Sequence, residues 1–259
     1  MPQPAFASVA SRIALRLAGL LGGLWISGAF CDGGPGFNLY EQGRYVYERN
    51  CVICHGVRGD GQGELSENLL PKPRSFREGM FKFRTTPWGM LPTDEDLRRT
   101  ITQGLTGTAM GMFSGLEATD LRAVIEYVKF FSRRWRHPEN RAEAIVFPEP
   151  PRWLESASER GPHIAMGKML FSTLCVSCHG PNAEGNGPAA GMLKDVWGQP
   201  SAPANLRQAH LRCGDSMADI YRVLSTGLNG TPMVSFEGTL TEPQRWQVSA
   251  YILSIRAEN

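Results

Sequence analysis

The sequence contains one unit twice, and this internal repeat constrains the fold more than any other feature. Residues 51–56 read Cys-Val-Ile-Cys-His-Gly, and residues 175–180 read Cys-Val-Ser-Cys-His-Gly. A glycine precedes the first cysteine of each motif by eight residues, Gly43 in the first copy and Gly167 in the second. A chain of 259 residues is long enough for two domains of ordinary size. The repeat therefore predicts two tandem domains of the same fold.

A second pair of matching segments supports the duplication. Residues 104–110 read Gly-Leu-Thr-Gly-Thr-Ala-Met, and residues 227–233 read Gly-Leu-Asn-Gly-Thr-Pro-Met. Met110 lies 59 residues after the first cysteine of its motif, and Met233 lies 58 residues after the equivalent cysteine. The same features thus recur in the same order at nearly the same spacing, which indicates a duplicated domain.

The sequence pattern predicts helices and no strands. Acidic residues after Thr93 favour a helix start there, because they complement the helix dipole. No segment shows the alternation of apolar and polar residues that is typical of a strand. The fold class is therefore predicted to be all-α. The predicted helices cover residues 39–50, 94–103 and 119–131 in the first copy, and 163–174, 216–226 and 241–255 in the second.

Residues 1–29 have the pattern of a secretory signal peptide. Arg12 and Arg16 precede an uncharged stretch over residues 17–30, and Ser27 and Ala29 offer small side chains at a cleavage site. We expect an exported, periplasmic protein if the segment is cleaved. If it is retained as an N-terminal anchor, the protein is held at the membrane.

The charge balance argues against nucleic acid as a partner. Without residues 1–29, which contain two arginines and no acidic residue, the chain has 25 basic and 25 acidic side chains. Two of the six cysteines, Cys31 and Cys213, lie outside the repeated motifs and are either free or paired with each other.

The repeated Cys-x-x-Cys-His motif is the attachment pattern of c-type haem. Its two thiols form thioethers with the vinyl groups of one haem, and the adjacent histidine reaches the iron. A redox dithiol, or a zinc site that combines both cysteine pairs, is the alternative. Neither alternative explains the adjacent histidine or the matching downstream methionine. The sequence therefore predicts two covalently attached haem c groups, with these attachment and ligand residues: Cys51, Cys54 and His55; Cys175, Cys178 and His179.

Both copies resemble class I cytochrome c domains, through the Cys-x-x-Cys-His motifs and the Gly-Thr-x-Met segments. The resemblance implies small helical domains packed around one haem each, with Met110 and Met233 as the sixth iron ligands. The family commonly has proline directly after the ligand methionine, whereas Gly111 and Val234 follow here. Met112 is an alternative ligand in the first domain, but Met110 has the same offset from its glycines as the methionine of the second copy.

The resemblance covers most of a first cytochrome c domain at 38–136 and of a second at 162–259. The remaining segments are the signal peptide or anchor at 1–29 and a Pro-rich linker at 137–161. The resemblance implies an electron carrier and not an enzyme, which shuttles electrons between respiratory donor and acceptor proteins. It implies no small-molecule substrate. The alternatives are a permanently bound cytochrome subunit of a larger oxidoreductase complex and, less favoured, a diheme peroxidase-type enzyme.

Some further residues are candidates for the haem surroundings. Arg84 and Arg212 are candidates to pair with haem propionates, and Trp88 and Trp197 to line the haem pockets. The loops that begin at Pro73 and at Pro203 are candidates for the haem edge. Each of these residues has an equally ordinary role at the surface or in the core.

Overall fold

The computed structural model describes residues 35–257, and this part of the chain is helical without a named strand. The predicted all-α class is confirmed. The only β-type pairing of the described residues is an isolated bridge between Lys194 and Pro200. The helices are α1 (Pro35–Asn50), α2 (Val52–His55), α3 (Asp94–Gln103), α4 (Ala118–Phe130), α5 (Ala157–Leu174), α6 (Val176–His179), α7 (Met217–Thr226) and α8 (Glu242–Ala257).

Equivalent helices of the two domains begin with the same capping arrangement. At the start of α3, the hydroxyl of Thr93 accepts the backbone N–H of Asp96, whose carboxylate accepts the backbone N–H of Thr93. Ser216 and Asp219 form the same reciprocal pair at the start of α7. Such a capping box satisfies N–H groups that have no partner within the helix. The helix predicted at 216–226 therefore begins one residue later, since Ser216 is its cap.

In each domain the first helix crosses the last helix at a glycine. A Cβ atom on Gly43 of α1 would overlap the carbonyl oxygen of Ala123 in α4, and a Cβ atom on Gly167 of α5 would overlap the carbonyl oxygen of Gln247 in α8. The backbones can approach this closely only because glycine has no side chain. The glycine that precedes each cysteine motif by eight residues is thereby explained.

An aromatic pair stands beside each crossing. Tyr47 packs on Tyr127 with ring centroids 5.3 Å apart, and Phe171 packs on Tyr251 at the same separation. Each pair belongs to the apolar core of its domain. Most of the other buried members of the two cores lie on α1, α3 and α4 and on α7 and α8, and they include Val46, Leu97, Val124 and Val128, and Ile220, Leu224, Val248 and Ile252.

The connector between α4 and α5 runs along the first domain before it reaches the second. The guanidinium of Arg134 donates to the carbonyls of Gly79 and Gly89. Further along, Ile145 donates its backbone N–H to Thr85. The helix α5 already begins at Ala157, inside the segment that the sequence assigned to the linker. The connector also contains three short 3₁₀ turns, Arg133–Arg136, Pro138–Asn140 and Arg152–Leu154.

The two domains contact each other through buried polar groups. Arg84 of the first domain is fully buried and donates to the backbone carbonyls of Thr226 (2.5 Å) and Gly227 (3.3 Å). The side chain of Asn229 accepts the N–H of Gly89 and donates to the carbonyl of Met90, both at 3.1 Å. Hydrogen bonds with this directionality fix how the domains face each other.

Across residues 35–257, no helix is both long enough and apolar enough to traverse a lipid bilayer. The predicted signal segment 1–29 lies outside the described residues, as does Cys31.

Candidate haem sites

Each predicted ligand histidine is oriented by a backbone carbonyl. The Nδ1 atom of His55 lies 3.1 Å from the carbonyl oxygen of Arg74, and the Nδ1 atom of His179 lies 3.1 Å from that of Ala204. A histidine that donates from Nδ1 presents an unprotonated Nε2 to a metal. Both carbonyls belong to the residue after a proline, in the two loops that the sequence marked as candidate haem edges.

Burial keeps the predicted ligand histidines and the first cysteine of each motif in their neutral forms. Desolvation lowers the pKa of His55 and of His179, although the hydrogen bond to the carbonyl opposes the effect. Neutral imidazole is the form that binds iron. Desolvation also raises the pKa of Cys51 and of Cys175 to about 12 each, so both are thiols at neutral pH. Buried thiols of this kind do not readily oxidise or bind a metal as thiolates.

The methionine segments of the two domains have the same hydrogen bonds. The hydroxyl of Thr108 donates to the carbonyl of Leu105 at 2.8 Å and accepts the N–H of Met110 at 3.0 Å. The hydroxyl of Thr231 makes the equivalent bonds to Leu228 and Met233, at 2.8 and 3.2 Å. The threonine thus holds the backbone of the methionine two residues later.

The sequence analysis used these threonines only as matching residues of the repeat and did not predict that they hold the methionine turn. The signal was their recurrence at the same offset before Met110 and Met233. A hydroxyl that accepts the N–H two residues on is a common turn-forming interaction. The matched pair indicates that the turn serves to present the methionine.

The structure distinguishes the two candidate methionines of the first domain. Met110 is half-buried, whereas 73 % of Met112 is exposed. In the second domain Met233 is half-buried and packs against the apolar core. The assignment of Met110 and Met233 as iron ligands stays a prediction, but the burial of Met110 favours it over Met112.

A cavity of about 1390 Å³ brings together the predicted ligands of the second domain. This volume exceeds the roughly 300–1,000 Å³ of most small-molecule sites. The walls include both cysteines of the motif, the histidine and the methionine of that domain, namely Cys175, Cys178, His179 and Met233. Apolar core residues such as Phe171 and Ile220 complete the lining. A large, flat, mostly apolar group with covalent attachment at one edge fits this arrangement.

The equivalent residues of the first domain lie among aromatic side chains. The ring of Phe76 stacks on His55 with centroids 4.5 Å apart, and Phe81 stacks behind it at 5.9 Å. Cys51 and Phe76 both pack against the core of that domain. The cavity reaches the first domain through residues 60–64 and 70–75, which form the loop after its cysteine motif.

Two of the four residues suggested for the haem surroundings lie on that cavity. Arg212 and Trp197 line it. The role proposed for Arg84 is wrong, because its guanidinium binds backbone carbonyls of the other domain. Trp88 is also at the domain contact, where its ring lies against Gly227. Both residues hold the domains together, which sequence reasoning could not show without knowing their relative position.

The two cysteine pairs do not form one metal site. Within the described residues, no three side chains of His, Cys, Asp or Glu lie close enough together to hold a metal ion. The remaining described cysteine, Cys213, is half-buried and lies 3.5 Å from the carbonyl oxygen of Gly214, and burial raises its pKa to about 11.

Comparison with known proteins agrees with this geometry. A family model described as cytochrome c oxidase, cbb3-type, subunit III matches residues 38–128, and one described as cytochrome c matches residues 164–256. The chain belongs to the diheme c-type cytochromes. Domains of this kind bind haem c covalently and transfer electrons through it. The two matched ranges include the Cys-x-x-Cys-His motif of each half, together with Met110 in the first and Met233 in the second.

This diheme cytochrome is also similar to a solved structure. A chain of the reducing HAO-like protein complex of Kuenenia stuttgartiensis superposes with a TM-score of 0.78 at 37 % sequence identity. The match covers 83 % of the present chain and 96 % of the other. No curated protein sequence was found to match.

Proposed function

We propose that this cytochrome is an exported electron-transfer protein that carries two haem c groups, each with one histidine and one methionine as axial ligands. The observation that carries the proposal is the repeated ligand geometry. In both domains a carbonyl orients the histidine at 3.1 Å, and a threonine hydroxyl holds the methionine segment. Two domains with the same ligand arrangement call for the same cofactor in each.

Each residue of the sites has a distinct role. The two cysteines of each motif anchor the haem covalently, which prevents its loss. His55 and His179 would hold the iron of a bound haem through Nε2, and Met110 and Met233 would hold it through sulfur. Bound haem supplies an iron that alternates between Fe(II) and Fe(III). Thioether ligation favours the reduced state and so raises the reduction potential.

Two axial protein ligands leave no coordination position for a substrate, which favours a carrier over a peroxidase-type enzyme. The absorption spectrum of the reduced protein, before and after addition of carbon monoxide, tests this point. We expect a low-spin spectrum that carbon monoxide does not change. A shift of half of the haem absorbance would contradict the proposal, since one iron would then have an open position.

The mass of the purified protein tests two further parts of the proposal, the number of haems and the removal of residues 1–29. We expect two covalently attached haems and an N-terminus shortened by about the length of residues 1–29. A single haem would contradict the two-haem proposal. An intact N-terminus would replace the free periplasmic location by a membrane-anchored one.

A second candidate function is a permanently bound subunit of an oxidoreductase complex. The likeness to a chain of the Kuenenia stuttgartiensis complex favours it. A free carrier makes small, transient contacts, whereas a subunit buries a larger and more apolar interface. Isolation from the native host at low and at high salt separates the two. A subunit stays with the same partner at both salt concentrations, and a carrier is released at high salt.

A further inference from the structure

Four lysine and arginine side chains line the cavity that contains the ligands of the second haem site. One of them, Lys72, donates to the backbone carbonyls of Ser66 and Glu67. The other three are Arg74 and Lys82 of the first domain and Arg212 of the second, and we refer to them as the interdomain cationic cluster. Among residues 35–257 none of the three forms an ion pair within 4.0 Å. Two of the cations thus come from the domain that does not supply the ligands.

Arg74 has an unpartnered hydrogen-bond donor at this site. Its guanidinium lies over the indole of Trp197, 4.3 Å from the ring centroid. The Nη1 atom of Arg74 and the Nε1 atom of Trp197 are both buried and have no hydrogen-bond partner. A buried donor without an acceptor costs about 1–3 kcal/mol, and more when it is charged. Two such donors side by side indicate that an acceptor binds there.

The electrostatics indicate that this acceptor is an anion. Desolvation, together with the positive charges of Arg74 and Arg212, lowers the pKa of Lys82 to about 8. The carboxylates that act on the cluster are Asp195 and Glu78, and one oxygen of Asp195 already accepts the backbone N–H groups of Trp197 and Gln199. Within the described residues, the three cations of the cluster thus face these two carboxylates without an ion pair to either of them.

Haem brings two carboxylates, its propionates, into any cavity that encloses it, and such charges need paired donors when water is excluded. The cavity lined by the cluster includes the four ligand residues of the second domain but not Cys51, Cys54 or His55. We propose that Arg74 and Lys82 of the first domain, together with Trp197, bind the propionates of the haem held by the second domain. The proposal rests on the function proposed above.

This arrangement makes Arg74 a link between the two haem sites. Its backbone carbonyl orients His55 in the first domain, at 3.1 Å, while its side chain serves the haem of the second. The equivalent residue of the second domain is Ala204, whose side chain cannot reach a partner in this way. The positioning of His55 is therefore coupled to the second haem, whereas Ala204 does not couple the positioning of His179 to the first haem.

The test measures both reduction potentials in Arg74→Met and Lys82→Met, with Lys168→Met as the control. Lys168 is exposed on α5 and does not line the cavity. Met110→His and Met233→His identify which potential belongs to which haem, because imidazole in place of the thioether lowers only that haem's potential.

We expect each test variant to lower the potential of the second domain's haem, because removal of a positive charge favours Fe(III). Lys82→Arg keeps the positive charge and should leave the reduction potential of the second domain's haem at its value in the natural protein. Shifts no larger than that of Lys168→Met, or shifts confined to the first domain's haem, would overturn the inference.

An infrared redox difference spectrum with ¹³C-labelled propionate carboxylates gives a second readout that does not depend on potentials. We expect the carboxylate bands to move in Lys82→Met and to stay in place in Lys168→Met. Unchanged bands in both would overturn the inference. The number of covalently attached haems is first determined from the mass of the natural protein. Fewer than two haems would refute the proposed function. Two haems with unchanged bands and potentials in the variants would refute this inference alone.

Discussion

At the scale of single residues, each haem site depends on a small number of hydrogen bonds that recur in both domains. A carbonyl selects the tautomer of the histidine, and a threonine hydroxyl holds the methionine turn. These bonds leave Nε2 of His55 and the side chain of Met110 available for the iron. The chemistry of the site is thus prepared by backbone groups, which the identity of the ligand residues does not reveal.

Met110 and Met112 can be compared directly at this scale. We expect Met110→Ala to lower the reduction potential of the first haem and to let carbon monoxide bind there, because the iron loses its thioether ligand. Met112→Ala removes a side chain that is 73 % exposed and should change neither property. Absorption spectra with carbon monoxide and the reduction potentials of the two variants show which methionine is the ligand. The reverse pattern would make Met112 the ligand.

At the scale of elements, each domain is built around one close helix crossing. The helices α1 and α4 meet at Gly43, and α5 and α8 meet at Gly167. The short helices α2 and α6 follow the first helix of each pair directly, so the crossing determines where each cysteine motif stands. The glycine of each crossing thereby positions the attachment site that follows it.

Gly167→Ala tests the crossing. The added methyl group would overlap the carbonyl oxygen of Gln247, so α5 and α8 must separate. We expect the free energy of unfolding to fall by about 1–3 kcal/mol, as is usual for overpacked sites. Gly238→Ala is the control, since a Cβ atom there meets nothing within 4 Å. Denaturant unfolding of both variants measures the effect. Equal stability of the two would show that the crossing tolerates a side chain.

At the scale of the whole molecule, the two domains form one unit through buried hydrogen bonds. Arg84 reaches two carbonyls at the end of α7, and Asn229 binds two backbone groups of the first domain. Burial lowers the pKa of Arg84 to about 10, yet it stays charged at neutral pH. The contact places the interdomain cationic cluster beside the second haem cavity.

Arg84→Met tests this domain contact. Loss of the guanidinium leaves the buried carbonyl of Thr226 without this donor, which costs about 1–3 kcal/mol. The carbonyl of Gly227 keeps the hydroxyl of Thr226 as a donor. We expect the natural protein to unfold in one thermal transition and the variant in two, because the domains of the variant no longer unfold together. Arg160→Met is the control at an exposed position of α5. Calorimetry follows both variants, and one unchanged transition in Arg84→Met would show that other contacts hold the domains.

Much of this protein can be predicted from the sequence alone. The repeat, the cysteine motifs and the helical pattern predicted an all-α chain with two cytochrome domains, which the structure and the family matches confirm. Helix bounds came out within a few residues, except that α1 and α5 begin several residues earlier than predicted. These features are local, because spacing along the chain is enough to specify a helix start or an attachment motif.

Only the tertiary structure decided the contacts between residues that are far apart in the chain. Sequence reasoning offered a haem propionate or the solvated surface as the environment of Arg84, whereas its guanidinium is buried and binds carbonyls some 140 residues away. It gave Arg74 no role, although that residue contacts His55 through its backbone and Trp197 through its side chain. The physical reason is that a guanidinium binds whatever acceptors the packing of two domains presents to it, and no local pattern encodes that packing.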